Sequence, residues 1–296
     1  MTQPPLEGII ANFYLPTKPD RTSILRAVHS FVFTIMAMLT SLGVQAQESP
    51  IEDNSFLIEE AYNQEPGVVQ HISVFSHFWK SEDWSYKFTQ EWPFPGPARH
   101  QLSYDIEILQ SGEFSGSGMG LGDLSLNYRY QLLGDGTARV AFAPRLSLLL
   151  PTGRTKLGRG FGSTAVQANL PLSVVLGERW VMHLNAGTTI APRARSEFGD
   201  RASVTGYNLG HSFVWLAHSR FNVLLETVWE DTASVVGPDK TERSRALFLS
   251  PGIRWAHNFR NGLQIVPGLA MPVGVGSNAG ERGLVIYLSF EHPYTR

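Results

Sequence analysis

No cysteine occurs in the 296 residues. Disulfides, thiolate metal sites and cysteine nucleophiles are therefore excluded. Charge is scarce as well: Asp, Glu, Lys and Arg make up 17% of the chain, against roughly 25% in soluble domains. The net charge of −2 offers neither a basic surface for nucleic acid nor an acidic tail. Long apolar runs are nearly missing too. The one candidate is residues 27–43, about 17 residues broken by His29, Ser30, Thr34, Thr40 and Ser41, which is short for a helical span of about 20.

That run reads better as an export signal. Arg21 and Arg26 precede it, and Val44-Gln45-Ala46 follows with small residues at the −3 and −1 positions of a cleavage site. Cleavage is expected after Ala46. Residues 1–20 are polar and proline-containing, and read as a start-site extension or a long n-region. Residues 1–46 are thus assigned to the extension and signal peptide, 47–66 to a periplasmic N-terminal segment, and 67–296 to the folded domain. Helical periodicity is absent beyond the signal except at residues 55–65, which read as a short helix or a strand.

What is present is alternation. In residues 123–132, Leu124, Leu126, Tyr128, Tyr130 and Leu132 fall on one face, with Asp123, Ser125, Asn127, Arg129 and Gln131 on the other. A strand has a side-chain period of two, so one face is apolar and one polar. The pattern recurs at 140–150, 166–176, 180–187, 221–229 and 263–273. About twelve strands are predicted, near 68–78, 84–92, 100–109, 122–132, 139–150, 163–176, 180–190, 205–216, 221–230, 244–255, 262–273 and 283–291. Each approximates the ~9–11 residues that a tilted membrane strand needs.

Connections alternate in length. Short ones lie at 133–137, 177–179 and 217–220, and longer polar ones at 111–121, 153–162, 192–204, 231–243 and 274–282. Short periplasmic turns and longer extracellular loops characterise a transmembrane β-barrel. Trp84, Trp92, Trp180, Trp215, Trp229 and Trp255 fall near strand ends, where membrane interfaces favour them. Pro144, Pro171, Pro251 and Pro267 fall inside predicted strands, where bulges or kinks are expected. The fold expected is an all-β, antiparallel barrel of about twelve strands in the outer membrane of a Gram-negative cell.

Three stretches carry a resemblance: residues 58–71 (I-E-E-A-Y-N-Q-E-P-G-V-V-Q-H), 120–130 (G-L-G-D-L-S-L-N-Y-R-Y) and 143–153 (A-P-R-L-S-L-L-L-P-T-G), with Leu170-Pro171-Leu172-Ser173. In these the chain resembles a family of outer-membrane transporters labelled after the MetA pathway of phenol degradation. The resemblance spans most of residues 55–291. It implies a channel or transporter, with aromatic compounds among the solutes, and brings no catalytic residues. The final strand alternates Leu284, Ile286, Leu288 and Phe290, as the last strand of such proteins does, but Glu291–Arg296 follow the Phe.

Glycine-rich residues 116–122 have no helix after them and 153–162 lack the G-K-[ST] order, so neither reads as a phosphate loop. The histidines show no metal spacing, and no metal or cofactor is expected. A lipid-acting barrel enzyme would need a Ser and a His on one face. His211-Ser212 and Ser76-His77 are adjacent, so they point to opposite faces. The function expected is passive passage of small solutes. The alternatives are a lipid-modifying barrel enzyme and a structural barrel. The pore-lining candidates are Asp123, Arg129, Arg145, Glu226 and Arg254, charges placed opposite the apolar face. The partners expected are outer-membrane lipids, the barrel-assembly machinery and a small-molecule solute, with no nucleic acid.

Overall fold

The computed structural model describes residues 55–94, 99–112 and 118–294. The expected signal peptide and its cleavage site lie outside the described residues. Twelve staves form the wall. They are β1 (Val68–Phe78), β2 (Trp84–Pro93), β3 (His100–Gln110), β4 (Gly120–Leu121 with Leu124–Tyr130), β5 (Val140–Phe142 with Arg145–Leu150) and β6 (Ala165–Asn169 with Leu172–Gly177). The second half comprises β7 (Trp180–Arg195), β8 (Arg201–His218), β9 (Phe221–Gly237), β10 (Lys240–Trp255), β11 (Gln264–Ala270 with Val273–Gly274) and β12 (Gly283–Pro293). Each pairs antiparallel with the next. β12 then returns to β1, from Val68↔Pro293 to Phe78↔Gly283, and closes the cylinder. Closure leaves no strand edge, the condition for a sheet to stand in lipid.

Burial is inverted relative to a soluble protein. Leu126, Leu146, Leu148, Leu209, Leu225, Leu269 and Leu288 are exposed on the outside. Asn127, Ser147, Asn169, Ser173, Ser212, Asn222, Ser250 and Ser289 are buried within. An apolar belt facing hydrocarbon and a polar interior account for both. No helix of the described residues is long and apolar enough to cross a membrane. The rings of Trp180 and Trp215 stack at 6.2 Å near the short-turn end, as an interfacial belt predicts. The interior is not uniformly polar, however. Ile72 and Val74 of β1, Val285 and Tyr287 of β12 and Phe248 of β10 turn inward and form one apolar cluster.

The prolines behave in two ways. At Pro144 and Pro171 the ladder lapses, splitting β5 and β6 side by side. The register does not slip, because Phe142 pairs with Leu172 and Arg145 with Asn169 on either side of the gap. Both proline carbonyls still accept, from Tyr130 N (3.1 Å) and Ala143 N (3.2 Å). Pro251 and Pro267 stay within continuous strands. A register shift does accompany Pro192, between Ala191 and Ala194.

Two of the expected long loops are mostly strand. β7 runs to Arg195 and β8 starts at Arg201, while β9 and β10 meet in a two-residue turn at Pro238-Asp239. Asp239 there takes φ 53°, a left-handed conformation that Asp tolerates. Beyond the lipid belt the outward residues Arg193, Arg195 and Arg201 are polar and exposed. Ala191, Ala194, Ala202, Val204, Ala233 and Val235 are buried inside with Phe161, so the apolar-outward pattern that marks a strand in lipid is lost.

Candidate functional site

Residues 55–66, assigned by sequence to a periplasmic segment, run inside the cylinder. They are neither helix nor strand. Ser55, Phe56, Leu57, Ile58, Glu60, Ala61 and Tyr62 are buried. Irregular backbone inside a barrel needs its polar groups satisfied by the wall, and the wall supplies side chains for this. Glu226 Oε1 accepts from Leu57 N (2.8 Å) and Ile58 N (3.1 Å). Asn185 accepts from Glu59 N (2.9 Å) and donates to Glu59 O (2.8 Å). Ser173 Oγ accepts from Ala61 N, Gln131 Oε1 from Asn63 N and Gln101 Oε1 from Gln64 N. Arg129 Nη1 and Gln131 Nε2 donate to the carbonyls of Tyr62 and Ala61.

Side chains lock the same segment. Arg129 and Arg145 stand directly opposite each other on β4 and β5, a like-charge pairing that is unfavourable alone. Glu59 resolves it. Its carboxylate takes Arg145 Nη2 at 2.6 Å and Nε at 3.1 Å, and Arg129 Nη2 at 3.5 Å. On the apolar side the Phe56 ring packs against Tyr287, with centroids 5.1 Å apart. Gly252 and Gly268 leave the space for that ring, and Gly210 leaves space for Ile58. A methyl built on any of the three would overlap the segment. Residues 55–66 are thus a fitted plug across the half of the lumen nearer the short turns.

All five nominated charges lie on the inner side, but none simply lines open water. Arg129, Arg145 and Glu226 hold the plug. Asp123, at the break in β4, accepts from Gly153 N and Phe161 N, both at 2.8 Å. It thereby draws residues 151–164, which contain the expected glycine-rich loop, over the far end of the lumen, where Phe161 is buried. Arg254 is buried on β10. The Asn222 amide satisfies both its atoms when its oxygen accepts from Arg254 Nε at 3.3 Å.

Between plug and loop lies a chamber of about 130 Å³. Leu57, Ile58, Val204 and Val228 form an apolar side, and Lys87, Asp105, Glu107 and Glu230 a charged one. The nominations from sequence omitted all four of these charges. The signal was available: Lys87 alternates with Tyr86 and Phe88, Asp105 and Glu107 with Tyr104, Ile106 and Ile108, and Glu230 shares the face of Glu226. His211 faces outward beside Thr227, its Nε2 3.4 Å from Thr227 Oγ1. Ser212 faces inward, bonded to Ser55 Oγ at 2.8 Å. That pair is therefore split by the wall. Among the described residues no group of three or more His, Asp or Glu is placed to hold a metal ion.

No curated protein matches the chain in sequence. Among the solved structures that share its fold are two outer-membrane proteins. One is a NanC porin, with TM-score 0.50 and 11% identity, covering 74% of this chain and 98% of the porin. The other is the COG4313 outer membrane channel from Pseudomonas putida F1, with TM-score 0.53 and 14% identity, covering 78% of this chain and 97% of that channel. At such identities the likeness is one of fold, and the fold is that of an outer-membrane barrel. A family model described as "Putative MetA-pathway of phenol degradation" matches residues 80–274. With the closed twelve-stave wall and the matching stretches of sequence, this establishes that the chain belongs to that family.

Proposed function

We propose that this protein is a gated outer-membrane conduit for small solutes, closed here by residues 55–66. One observation carries the reading: a membrane-spanning cylinder is crossed by an irregular segment held through side-chain contacts rather than a strand ladder. Such a segment detaches without unzipping the wall. The chamber's mixed lining suits molecules with an apolar body and a polar group, in keeping with a family named for phenol degradation. The two related folds, a porin and an outer membrane channel, support passage rather than catalysis. We read the chain as a non-enzyme on the same ground, and because the adjacent Ser–His pair is divided between the two faces. Its partners are then the surrounding lipid, the assembly machinery that inserts barrels, and the solute.

Planar-bilayer recording tests this. The wild type is expected to show rare, brief openings. Glu59→Gln, which removes the charge between Arg129 and Arg145, is expected to raise the open fraction about tenfold or more. Liposome swelling with neutral aromatics, aromatic acids and sugars then ranks the solutes. Equal, negligible conductance for both proteins would refute the proposal and favour a structural barrel.

A further inference from the structure

We propose that the chamber above the plug binds a small organic cation, a protonated amine on an apolar body, with Glu230 as the counter-charge. This deepens the conduit reading and rests on it only for its physiological meaning. Glu230 is 8% exposed, and its Oε2 has no hydrogen-bond partner among the described residues. Its cross-strand neighbours are Asn208 and Ala246, neither of them cationic. A buried carboxylate without a partner is costly, so its retention needs a reason, and a transient cation supplies one.

The rest of the chamber agrees in sign. Glu59, Asp105, Glu107, Asp123 and Glu230 line it against Lys87 and Arg145, and Arg145 is already committed to Glu59. Asp105 is occupied by hydrogen bonds from Thr89 (2.6 Å) and Asn127 (2.9 Å), and Asp123 by backbone N–H groups. Glu107 stands directly opposite Lys87 across β2 and β3, which leaves Glu230 for a guest. Val228, two residues along the same inward face, continues with Leu57, Ile58 and Val204 into an apolar bed. A cavity of about 150 Å³ accepts benzene, so about 130 Å³ suits one small ring or a short alkyl group. A carboxylate beside an apolar bed in an acid-rich chamber fits an ammonium-bearing molecule better than a neutral alcohol or a carboxylic acid.

Isothermal titration on the full-length protein, folded in detergent, separates the three probes benzylammonium, benzyl alcohol and benzoate. Benzylammonium is expected to bind the wild type most tightly, and benzoate not at all. Glu230→Gln is expected to weaken benzylammonium about tenfold or more, with benzyl alcohol changed less than about twofold. Folding of each variant is checked by heat-modifiable migration. Should Glu230→Gln not fold, Asn208→Lys, which sets an ammonium beside Glu230, is expected to abolish benzylammonium binding. Equal binding of benzylammonium and benzyl alcohol, or an unchanged affinity in the variant, would overturn the proposal. Flux of these probes into liposomes is a separate measurement: binding without flux leaves the site standing and removes the conduit, whereas flux with no preference for the amine does the reverse.

Discussion

Single side chains decide how the lumen is filled. The Glu59 carboxylate between two facing arginines is the clearest case, since its removal leaves Arg129 and Arg145 opposed, with Glu91 still 3.8 Å from Arg129. Glu59→Gln should lower unfolding free energy by about 1–3 kcal/mol, below the 3–5 kcal/mol of a fully buried pair because Glu59 keeps 25% side-chain exposure. Denaturant titration measures this. Gly268→Leu should act through shape: its side chain claims the space of the Phe56 ring, and the plug yields because the wall is held by its ladder. Higher conductance with an intact heat-modifiable barrel is the expected result. Asp83, in the β1–β2 turn, is affected first by burial, which pushes its pKa up to about 6 despite the bond from Gly112 N. A raised carboxyl pKa gives stability that is present below the unfolded value near 4 and lost as pH rises through about 6. The wild-type melting temperature should therefore fall between pH 4 and 6, and Asp83→Asn should flatten that slope. Reading charge against the apolar face singled out Arg129, Arg145 and Glu226, which the structure shows bonded to the plug. Their bonds to the plug were not legible, because those contacts join residues more than sixty positions apart.

At the level of strands, the wall was legible because lipid outside and polar groups inside impose a period of two. β4, β5, β6 and β9 carry it plainly. β1 was harder, since Ile72, Val74 and Phe78 face inward among apolar partners while His71, Ser73 and His77 face out. Residues 192–204 and 231–243 read as loops because their strands rise beyond the lipid, where the outer face is polar and the small inward residues Ala194, Ala202, Val204, Ala233 and Val235 carry the apolar side. β8, with 18 residues, spans about 45 Å along the membrane normal at the usual rise and tilt, against a hydrocarbon-facing band of about 25 Å. Residues 55–65 read as a short helix or a strand because their apolar spacing has a helical period, whereas neither forms. Here Glu226, Asn185, Ser173 and Gln131 satisfy the backbone from the wall. The outward belt gives a direct test. Leu209→Arg, 52% exposed in the wild type, should cost about 2–4 kcal/mol if it lies near the bilayer midplane. It should reduce the heat-modifiable fraction recovered from membranes, whereas Leu209→Phe should leave it unchanged.

Over the molecule as a whole, the arrangement couples closure of the wall to filling of its interior. The main apolar cluster of the lumen runs from Val181 of β7 and Val214 of β8 through β9–β12 to β1, and it includes Phe56 and Ile58. The other side is polar, from β2 through β7, and receives Glu59 and the carbonyls that follow it. The plug therefore reads both halves of the barrel at once, and cannot fit a cylinder of altered register. The plug joins the wall at one point only among the described residues. Gly67, with φ 83°, turns the chain from the lumen into β1. In the proposed gated conduit, departure of this stopper is a swing about that tethered pivot, and its return is unimolecular. A displaced segment on so short a leash faces its own seat at an effective concentration in the millimolar range, so the aperture reseals by itself, at a rate independent of how many copies the membrane holds.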